Sequence, residues 1–496
     1  MQDYSKVPAS PREFGYYIDG AWIEKADRSW IERVSPAHGS IVTRVVQCTQ
    51  DDLNVGVSAA RKAFKSGVWS EISGAERAKT LLSAAAGIRE RLEEIAYWET
   101  LETGKPISQS RAEIGGAADH YEYAAGVART LKGDAFNNLG PDMMGFVTRQ
   151  PIGVIGLITP WNFPFIILAE RIPYMLAAGC TIVAKPSEFT SASTLIMAEI
   201  LTASGLPNGV FNVVTGYGSD VGQAMIEHHD IDVLSFTGSI GVGRKVLLAS
   251  ASNLKKLSLE LGGKNPQIVF ADADLNDAAD GIVFGLLFNA GQCCVSGSRL
   301  IVERSVAKQL EALLVEKFAR VRLGDPLDPA TQVGAMVTPE HMEKVLGYVR
   351  QGIEDGAVLA CGGETYSAPN RQFISPTLLT GANNKMAVAR EEIFGPVLTL
   401  ITFDTLDEAI DIANDNVFGL AASIWTKNLD KAVRTMRRVE AGRTWVNTTI
   451  AGGPELPIGG FKQSGTGRET GVYGVEEYTE LKSIHIALGK REHWVD

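Results

Sequence analysis

Val233-Leu-Ser-Phe-Thr-Gly-Ser-Ile-Gly-Val-Gly243 contains an apolar strand, a Gly-Ser turn and the start of a helix in one short stretch. The same order precedes it, with strands predicted at Thr181–Ala184 and Val210–Val214, and another strand is predicted at Leu254–Glu260. Strands that alternate with helices in this way indicate a parallel, doubly wound sheet, whose ligands lie beyond the carboxyl ends of the strands. The sequence therefore predicts an α/β fold with candidate sites in the turns after these strands.

Two glycine-rich turns follow strands of this sheet. Gly216-Tyr-Gly218-Ser-Asp-Val-Gly222 is one residue too long for the G-x-G-x-x-G fingerprint, and Gly238-Ser239-Ile-Gly-Val-Gly243 has its glycines at other offsets. Each turn nevertheless opens a helix, and a helix N-terminus is suited to binding an anion. The motifs alone leave nucleotide binding open, whereas their positions favour it.

Outside this region the chain offers fewer clues. A long helix is predicted from Ser73, where Ser73 and Glu76 have the spacing of a capping box, to Gly104 and Pro106. Residues 135–150 are predicted to form an extended arm, and the alternation in Glu477–Leu488 is typical of a strand.

Composition narrows the class of protein. The chain has 496 residues, 45% of them hydrophobic, which is typical of a soluble protein of roughly two to four domains. Its net charge of −11 argues against nucleic acid as a partner, because phosphate binding needs a basic face. Five cysteines without disulfide spacing and seven histidines without a ligand pattern predict a reducing, cytoplasmic setting and no metal site.

No targeting or membrane segment is expected. The N-terminal residues lack a basic region followed by an apolar one, so no secretory signal is predicted. The most apolar stretch, Ile152–Ala169, is about long enough to span a bilayer, but Pro160, Asn162 and Pro164 interrupt it.

A pair of adjacent cysteines follows a Gly-Gln turn in Phe288-Asn-Ala-Gly-Gln-Cys-Cys-Val-Ser-Gly-Ser-Arg299. Free cysteines are usually small buried hydrophobes, and a nucleophile needs backbone amides or a base nearby to form its thiolate. Flanking glycines and polar neighbours favour catalysis here. The local sequence does not separate Cys293 from Cys294.

Two polar residues in other turns could assist such a nucleophile. Glu260 ends a strand before two glycines, and an apolar pocket would raise the pKa of its carboxyl into the range of a general base. Asn162 lies in the turn between Pro160 and Pro164, where its amide could stabilise an oxyanion. Each also has an ordinary interpretation, as a solvated surface group and as a partner for loop backbone atoms.

Seven motifs occur in order along the chain: Pro160-Trp-Asn-Phe-Pro164, Lys185-Pro-Ser-Glu188, Phe236-Thr-Gly-Ser239, Glu260-Leu-Gly-Gly-Lys264, Gly291-Gln-Cys-Cys294, Glu391-Glu-Ile-Phe-Gly-Pro396 and Pro457-Ile-Gly-Gly-Phe-Lys-Gln-Ser-Gly465. Together they resemble the aldehyde dehydrogenase superfamily over essentially the full chain. The resemblance implies a doubly wound dinucleotide-binding domain (1–127 and 151–261), a second α/β catalytic domain (262–476) and a small β oligomerisation arm (128–150 and 477–496). It also implies a homo-oligomer, either a dimer or a tetramer.

The resemblance further implies NAD(P)-dependent oxidation of an aldehyde to the carboxylic acid. The family places its nucleophile second after Gly-Gln, which selects Cys294. Asn162 and the backbone N–H of Cys294 would hold the oxyanion of a thiohemiacetal, and Glu260 would activate the water that hydrolyses the thioester. Because Glu260 serves hydrolysis, transfer of the thioester to coenzyme A is less favoured. A non-catalytic role is disfavoured by the intact set, and a cysteine hydrolase by the absence of a motif histidine beside the nucleophile.

The family pattern also implies how a nicotinamide cofactor would be held. Lys185 and Glu188 would contact the adenosine ribose, Ser239 the pyrophosphate and Glu392 the nicotinamide ribose, while Phe394 would limit movement of the ring. Glu188 favours NAD because a carboxylate repels a 2′-phosphate, although Lys185 leaves NADP possible. His341 stands where relatives often have a glutamine. The other implied contacts are Ile158, Thr159, Pro160, Trp161, Gly218, Gly222, Phe236, Gly238, Leu261 and Gly262.

The substrate class is less defined. The pattern is most similar to the betaine aldehyde and ω-aminoaldehyde branch, which commonly holds a cation among aromatic rings. Phe163 and Phe288 match channel positions, but Glu170 replaces the usual Trp, and Gly452 and Ile458 replace later aromatics. Glu170 could pair with a cationic substrate, or it could pair with a nearby base and leave the channel to neutral aliphatic or aromatic aldehydes. Further implied channel residues are Ile167, Cys293 and Val295, and the implied proton path consists of Glu469 and Arg171, where the family usually has Lys.

Overall fold

The computed structural model describes residues 4–24, 28–366, 372–491 and 493–495. The first three residues, on which the expectation of no signal segment partly depends, lie outside the described residues. So do residues 25–27 and 367–371 of the two implied large domains and residues 492 and 496 of the implied arm.

An eight-stranded sheet contains the strand–helix units expected from the sequence. Its spatial order is Gly465–Thr466, Lys256–Glu260, Val233–Thr237, Val154–Ile158, Thr181–Lys185, Phe211–Val213, Tyr16–Ile18 and Ala21–Ile23. The five strands between residues 154 and 260 are parallel, and the strands added at either end are antiparallel. The prediction of a doubly wound sheet is confirmed.

The register of this sheet brings its carboxyl ends to one edge. Ile158 pairs with both Lys185 and Phe236, and Thr237 pairs with Glu260. The turns that follow these strands therefore lie side by side. Alternate residues of one strand face opposite layers, as strand geometry requires: Ile155 packs into one apolar cluster and Val154 into another.

A second sheet of seven strands carries its own apolar cluster. All its strand pairs are parallel except the first. The order is Val358–Cys361, Thr377–Thr380, Val397–Phe403, Arg299–Glu303, Pro266–Val269, Ala421–Trp425 and Arg443–Val446.

Three small sheets complete the strands of the described residues. Thr479–Ala487, Met143–Pro151 and Asp134–Phe136 form an antiparallel arm sheet, which contains the extended segment and the C-terminal strand expected from the sequence. The division into domains stays a prediction, and the sheets cross its boundary, because Gly465–Thr466 belongs to the first sheet. The other small sheets consist of Arg12–Phe14, Ile41–Val46 and Trp30–Val34, and of Phe418–Gly419 and Phe461–Lys462.

The predicted long helix from Ser73 is wrong in its continuity, because it is two helices separated at Arg91. The capping box is present, with the Ser73 hydroxyl accepting from the Glu76 backbone N–H and the Glu76 carboxylate accepting from Ser73 N at 2.9 Å. Arg91 leaves the helical region (φ −101°, ψ 16°), and its guanidinium pairs with Glu94 and Glu199.

The α-helices of the described chain cover both faces of the two large sheets. Within those residues, no helix is both long and apolar enough to cross a membrane. Their bounds are Gln50–Lys65, Gly74–Glu90, Leu92–Thr103, Ile107–Thr130, Pro164–Ala169, Ile172–Ala178, Ala192–Ala203, Gln223–Glu227, Ile240–Ser250, Leu275–Leu287, Ala307–Arg320, Pro339–Glu354, Ala387–Arg390, Leu406–Asn414, Leu429–Arg438 and Gly471–Glu477.

Candidate functional site

The predicted nucleophile lies on a loop that we call the cysteine loop, residues 288–298, between the helix Leu275–Leu287 and the strand Arg299–Glu303. Its first turn is left-handed at Asn289 (φ 51°), Ala290 (φ 55°) and Gly291 (φ 75°). A Cβ on Gly291 would lie 2.4 Å from the main chain of Gly395, so only glycine fits there. The loop turns sharply and leaves Cys294 half-buried.

Gln292 joins the cysteine loop to the turn that carries Asn162. Its side chain is fully buried, accepts a hydrogen bond from Val337 N at 2.9 Å and donates one to Asn289 O at 3.1 Å. Its main-chain oxygen accepts from Asn162 Nδ2 at 3.0 Å. The predicted oxyanion donor is thus bound two residues before Cys294.

The segment that follows Glu260 also reaches the nucleophile. A Cβ on Gly263 would lie 2.6 Å from the main-chain oxygen of Cys294. The same oxygen accepts from Asn265 Nδ2 at 2.8 Å. The structure therefore brings Asn162 and the segment that follows Glu260 to the cysteine loop.

The adjacent cysteine affects the acidity of the Cys294 thiol. A hydrogen bond with the Cys293 side chain, together with burial, raises the pKa of Cys294 above the usual range of a thiol. An opposite charge or a base beside the thiol would favour the thiolate that attack requires.

Glu260 has the environment expected of a general base. Burial raises the pKa of its carboxyl to about 8, against the opposing effect of the Arg171 guanidinium. Among the described residues, its Oε1 has no hydrogen-bond partner. A buried carboxyl that titrates near neutral pH and has a free oxygen can take a proton from water.

Arg171 is the centre of a buried charge cluster. Its Nε lies 3.4 Å from Glu469 Oε1, its Nη1 lies 3.6 Å from Glu170 Oε2, and its Nη2 donates to Thr237 Oγ1 at 3.2 Å. Burial opposes its charge, but these carboxylates raise its pKa above the ordinary value. A guanidinium does not deprotonate in proteins, so Arg171 fits the role of a fixed charge better than that of a proton carrier.

Glu469 is the titratable member of the predicted proton path. Its Oε1 accepts from Ser258 Oγ and from Tyr478 Oη, each at 2.6 Å. Burial raises the pKa of Glu469, and Arg171 opposes that shift. Glu469 is also paired through its backbone with Ile458, one of the predicted channel residues.

Most of the predicted channel residues form one apolar cluster beside the nucleophile. The Phe163 and Phe288 rings stack at 5.5 Å, and the other members of the cluster are Ile166, Ile167, Cys293 and Val295. Glu170, with 19% of its side chain exposed, is the one charged residue among the predicted channel positions.

Two residues of this region were missed by the sequence analysis. A Cβ on Gly452 would lie 2.9 Å from Arg443 Nη2, so a guanidinium lies next to a position where the family pattern implies an aromatic ring. His120 Nδ1 is 2.9 Å from Tyr174 Oη, and burial lowers the pKa of His120. His120 could have been noticed as a polar residue among the apolar positions of its helix, whereas nothing in its neighbourhood distinguishes Arg443.

The predicted adenosine contacts lie at the aligned strand ends. Thr159 N donates to Lys185 O at 3.2 Å, and Lys185 Nζ is 3.8 Å from Glu188 Oε2. A Cβ on Gly222 would lie 3.6 Å from the Lys185 side chain. Gly218–Gly222 is a π-helical turn, which explains its extra residue relative to the dinucleotide fingerprint.

Ser239 caps the helix Ile240–Ser250 by accepting from Val242 N at 3.4 Å. Gly238 N donates to Glu260 O at 3.0 Å, which joins this turn to the strand of the predicted base. Phe236 and Leu261 lie in the apolar cluster beneath the turn, and Ile158 packs against the same cluster.

The predicted nicotinamide contacts form a second group. Glu392 Oε1 accepts from Gly263 N at 3.0 Å, and a Cβ on Gly262 would lie 2.2 Å from Glu392 Oε2. Trp161 lies edge-on to Phe394 at 5.5 Å, and His341 Nε2 lies 2.7 Å from Phe394 O. His341 therefore holds the left-handed backbone of Phe394 (φ 61°).

Residues 22–484 match the aldehyde dehydrogenase family. The chain belongs to the aldehyde dehydrogenase family. It is 41% identical over 472 residues to betaine aldehyde dehydrogenase of Bacillus subtilis (strain 168), covering 95% of this chain and 96% of that protein.

Solved structures of aldehyde dehydrogenases have the same fold. An NAD-dependent aldehyde dehydrogenase from Sinorhizobium meliloti superposes with a TM-score of 0.97 at 48% identity, covering 99% of this chain and 98% of that one. Betaine aldehyde dehydrogenase from Staphylococcus aureus, in complex with NAD+, has a TM-score of 0.95 at 36% identity, with 97% of each chain covered. Indole-3-acetaldehyde dehydrogenase of P. syringae, a mutant in complex with NAD+ and IAA, has a TM-score of 0.94 at 40% identity, covering 97% and 98%.

Proposed function

We propose that this enzyme oxidises an aldehyde to its carboxylic acid with NAD, through a thiohemiacetal and a thioester on Cys294. The observation that carries the proposal is that Asn162 and the segment after Glu260 both contact the loop that carries Cys294, although they come from distant parts of the chain. Membership of the aldehyde dehydrogenase family supports the same chemistry.

The aligned strand ends fit a dinucleotide. Glycine is required at position 262 because a Cβ would lie 2.2 Å from Glu392 Oε2, so the backbone and this carboxylate approach each other closely. The Ser239 cap places a helix N-terminus where a pyrophosphate would be stabilised. NAD, when bound, accepts the hydride that converts the thiohemiacetal into the thioester.

We assign the first step to Cys294 and Asn162. The thiolate adds to the aldehyde carbon, and the former carbonyl oxygen becomes an oxyanion. One N–H of the Asn162 amide is held by Gln292 O, so the other remains available to that oxyanion, together with the backbone N–H of Cys294. A donor aimed in this way is worth on the order of 3 kcal/mol.

We assign the second step to Glu260. Its carboxylate removes a proton from water as the water attacks the thioester carbon, and the Cys294 thiolate leaves. Transfer to coenzyme A would need no such base, so the buried, unpartnered Glu260 favours hydrolysis.

Glu188 supports a preference for NAD. It lies 3.8 Å from the Lys185 ammonium. Burial lowers the pKa of Lys185, and Glu188 opposes that shift. A 2′-phosphate would meet this carboxylate and be repelled. The relatives in complex with NAD+ support the same choice.

We propose an amino- or betaine-type aldehyde as the substrate class. Glu170 is the one acidic residue among the predicted channel positions, and its partly exposed carboxylate could pair with a cationic group on the substrate. A relative named betaine aldehyde dehydrogenase supports this class. The pairing of Glu170 with Arg171 weakens the case for a cationic substrate, and neutral aldehydes are the competing class.

A homo-oligomer is proposed from the arm sheet. Its strand Thr479–Ala487 lies at a sheet edge and exposes Leu481, Ile484 and Ile486. Exposed apolar edges invite pairing with another copy of the chain. All five cysteines are unpaired thiols, which supports a reducing, cytoplasmic setting.

The experiment measures the absorbance of the reduced cofactor for a panel of aldehydes. NAD and NADP are tested in parallel, each with and without coenzyme A. We expect turnover with NAD and without coenzyme A, and a loss of nearly all turnover in Cys294→Ser. A strict requirement for coenzyme A would overturn the hydrolytic step and favour the acylating alternative. Light scattering on the same sample gives the oligomeric state.

A further inference from the structure

Asn289 lies between the two groups that the proposed mechanism joins, yet it contacts no reacting atom. Its Nδ2 donates to Asn162 O at 2.8 Å and to Gln292 O at 3.3 Å. Its side chain is 1% exposed, so these hydrogen bonds are shielded from water. The hydrogen bond to Asn162 O joins the Asn162 turn to the cysteine loop. The hydrogen bond to Gln292 O holds the oxygen that accepts from the Asn162 amide.

Gln292 O is the shared acceptor. It receives both Asn162 Nδ2 at 3.0 Å and Asn289 Nδ2 at 3.3 Å. Because an amide NH2 group is planar, fixing one N–H of Asn162 also fixes the direction of its other N–H. The free N–H is the one that an oxyanion would receive.

The backbone of Asn289 is held independently of its side-chain amide. Its φ and ψ of 51° and 41° are left-handed, a region that Asn tolerates better than most residues. Its main-chain N donates to Gln109 Oε1 at 2.9 Å, and its main-chain O accepts from Gln292 Nε2 at 3.1 Å. The turn therefore does not need the two hydrogen bonds that the amide makes.

Unlike its nitrogen, the oxygen of the Asn289 amide makes no such hydrogen bonds within the part of the chain that the structure describes. Asn289 Oδ1 is buried and has no hydrogen-bond partner among the described residues. An unpaired buried oxygen is unfavourable, and a purely structural position would be served by glycine, which adopts the same backbone freely. The side chain is therefore explained by its two donated hydrogen bonds.

We infer that Asn289 is a positioning residue, which sets the Asn162 amide at the oxyanion site by binding the main-chain oxygens of Asn162 and Gln292. The inference rests on the proposed function, in which Asn162 stabilises the oxyanion.

The test begins with two variants at one position. Asn289→Gly keeps the left-handed backbone and removes the amide, and Asn289→Asp keeps the shape but directs a carboxylate at two carbonyl oxygens. We expect kcat to fall about tenfold to hundredfold in Asn289→Gly and further in Asn289→Asp, with KM within about threefold of wild type, because the lost interaction is made chiefly after addition.

Gln109→Ala is the matched control, since it removes a hydrogen bond to the backbone of the same residue and leaves the amide in place. We expect its kcat to stay within about threefold of wild type. The rate at which iodoacetamide alkylates Cys294, read by mass spectrometry, checks the loop in every variant, because that reaction forms no oxyanion. An equal fall of kcat in Gln109→Ala and Asn289→Gly would mean general loosening and would overturn the inference.

A double-mutant cycle with Asn162→Ala decides the route of the effect. If Asn289 acts through Asn162, then Asn289→Gly changes kcat less than about threefold in the Asn162→Ala background. Independent, multiplicative losses contradict the inference while leaving the role of Asn162 intact. Full activity in Asn162→Ala alone contradicts the proposed function instead.

Discussion

The cysteine loop and the substrate channel lie side by side, but they are held in different ways. The loop is fixed by buried hydrogen bonds from Gln292 and Asn289 and by a left-handed turn. The channel depends on side chains such as Glu170, whose ion pair with Arg171 spans 3.6 Å, and on Gly452, which has the Arg443 guanidinium beside it. Backbone contacts thus define the reaction, whereas a few exchangeable side chains define the substrate, so substitutions in the loop are expected to cost far more.

The largest effect is expected at the nucleophile. In Cys294→Ser the poorly acidic hydroxyl replaces the thiol, and kcat should fall by about three orders of magnitude or more with every aldehyde. Circular dichroism and thermal unfolding of the variant establish that it folds. Undiminished turnover in the folded variant would remove Cys294 from the mechanism.

The next effect separates the two chemical steps. Glu260→Gln should lower steady-state turnover by about 10²–10⁴-fold because it removes the base for hydrolysis. Rapid mixing should still give one equivalent of NADH per active site, since acylation does not require that base. If the burst disappears with the turnover, Glu260 serves the first step as well.

A moderate effect is expected from pH. Glu260 acts as a base only when ionised, and the pKa of its carboxyl is raised to about 8 by burial. The rate constant for thioester hydrolysis in wild type should therefore increase with pH through this range and level off about one unit above it. Single-turnover measurements of acid release at several pH values give the profile, and a flat profile would assign the water activation to another group.

The smallest effect is expected in the channel, where Glu170→Gln removes a charge and keeps the shape. For betaine aldehyde, kcat/KM should fall about tenfold, as the loss of one half-buried charge pair predicts. Its uncharged isostere 3,3-dimethylbutanal should change by less than about twofold. Equal losses on both aldehydes would favour the pairing of Glu170 with Arg171 as its main role and a channel for neutral substrates.

Much of the fold follows from local patterns. The alternation around Val233–Thr237 predicted the parallel sheet, and Ser73 with Glu76 predicted a helix start that the structure contains. The interruption at Arg91 was not predictable, because neither Gly nor Pro marks it and one of the Arg91 ion-pair partners, Glu199, lies on another helix. Pairing between Gly465 and Glu260 joins residues far apart in the chain, and two such short strands have no pattern of their own.

The site divides in the same way. Motifs such as Gly291-Gln-Cys-Cys294 identified residues that the structure brings together. The contribution of Asn289 could not be predicted because its amide binds main-chain oxygens. Every residue has such an oxygen, so the sequence does not indicate which ones are bound. The position of Arg443 beside Gly452 was equally hidden. Gly452 has no side chain, and the Arg443 side chain extends into the space next to it, which neither residue type reveals alone.

The short strand Gly465–Thr466 closes the edge of the strand that ends in Glu260. About 200 residues separate them, and a ribosome adds about 5–20 residues per second, so synthesis leaves that edge without its partner for on the order of 10–40 s. During translation the nascent chain carries an exposed strand edge, which is a site for mispairing. The yield of active enzyme should therefore depend on chaperones that shield the growing polypeptide. It should also depend on where slow codons lie before position 465.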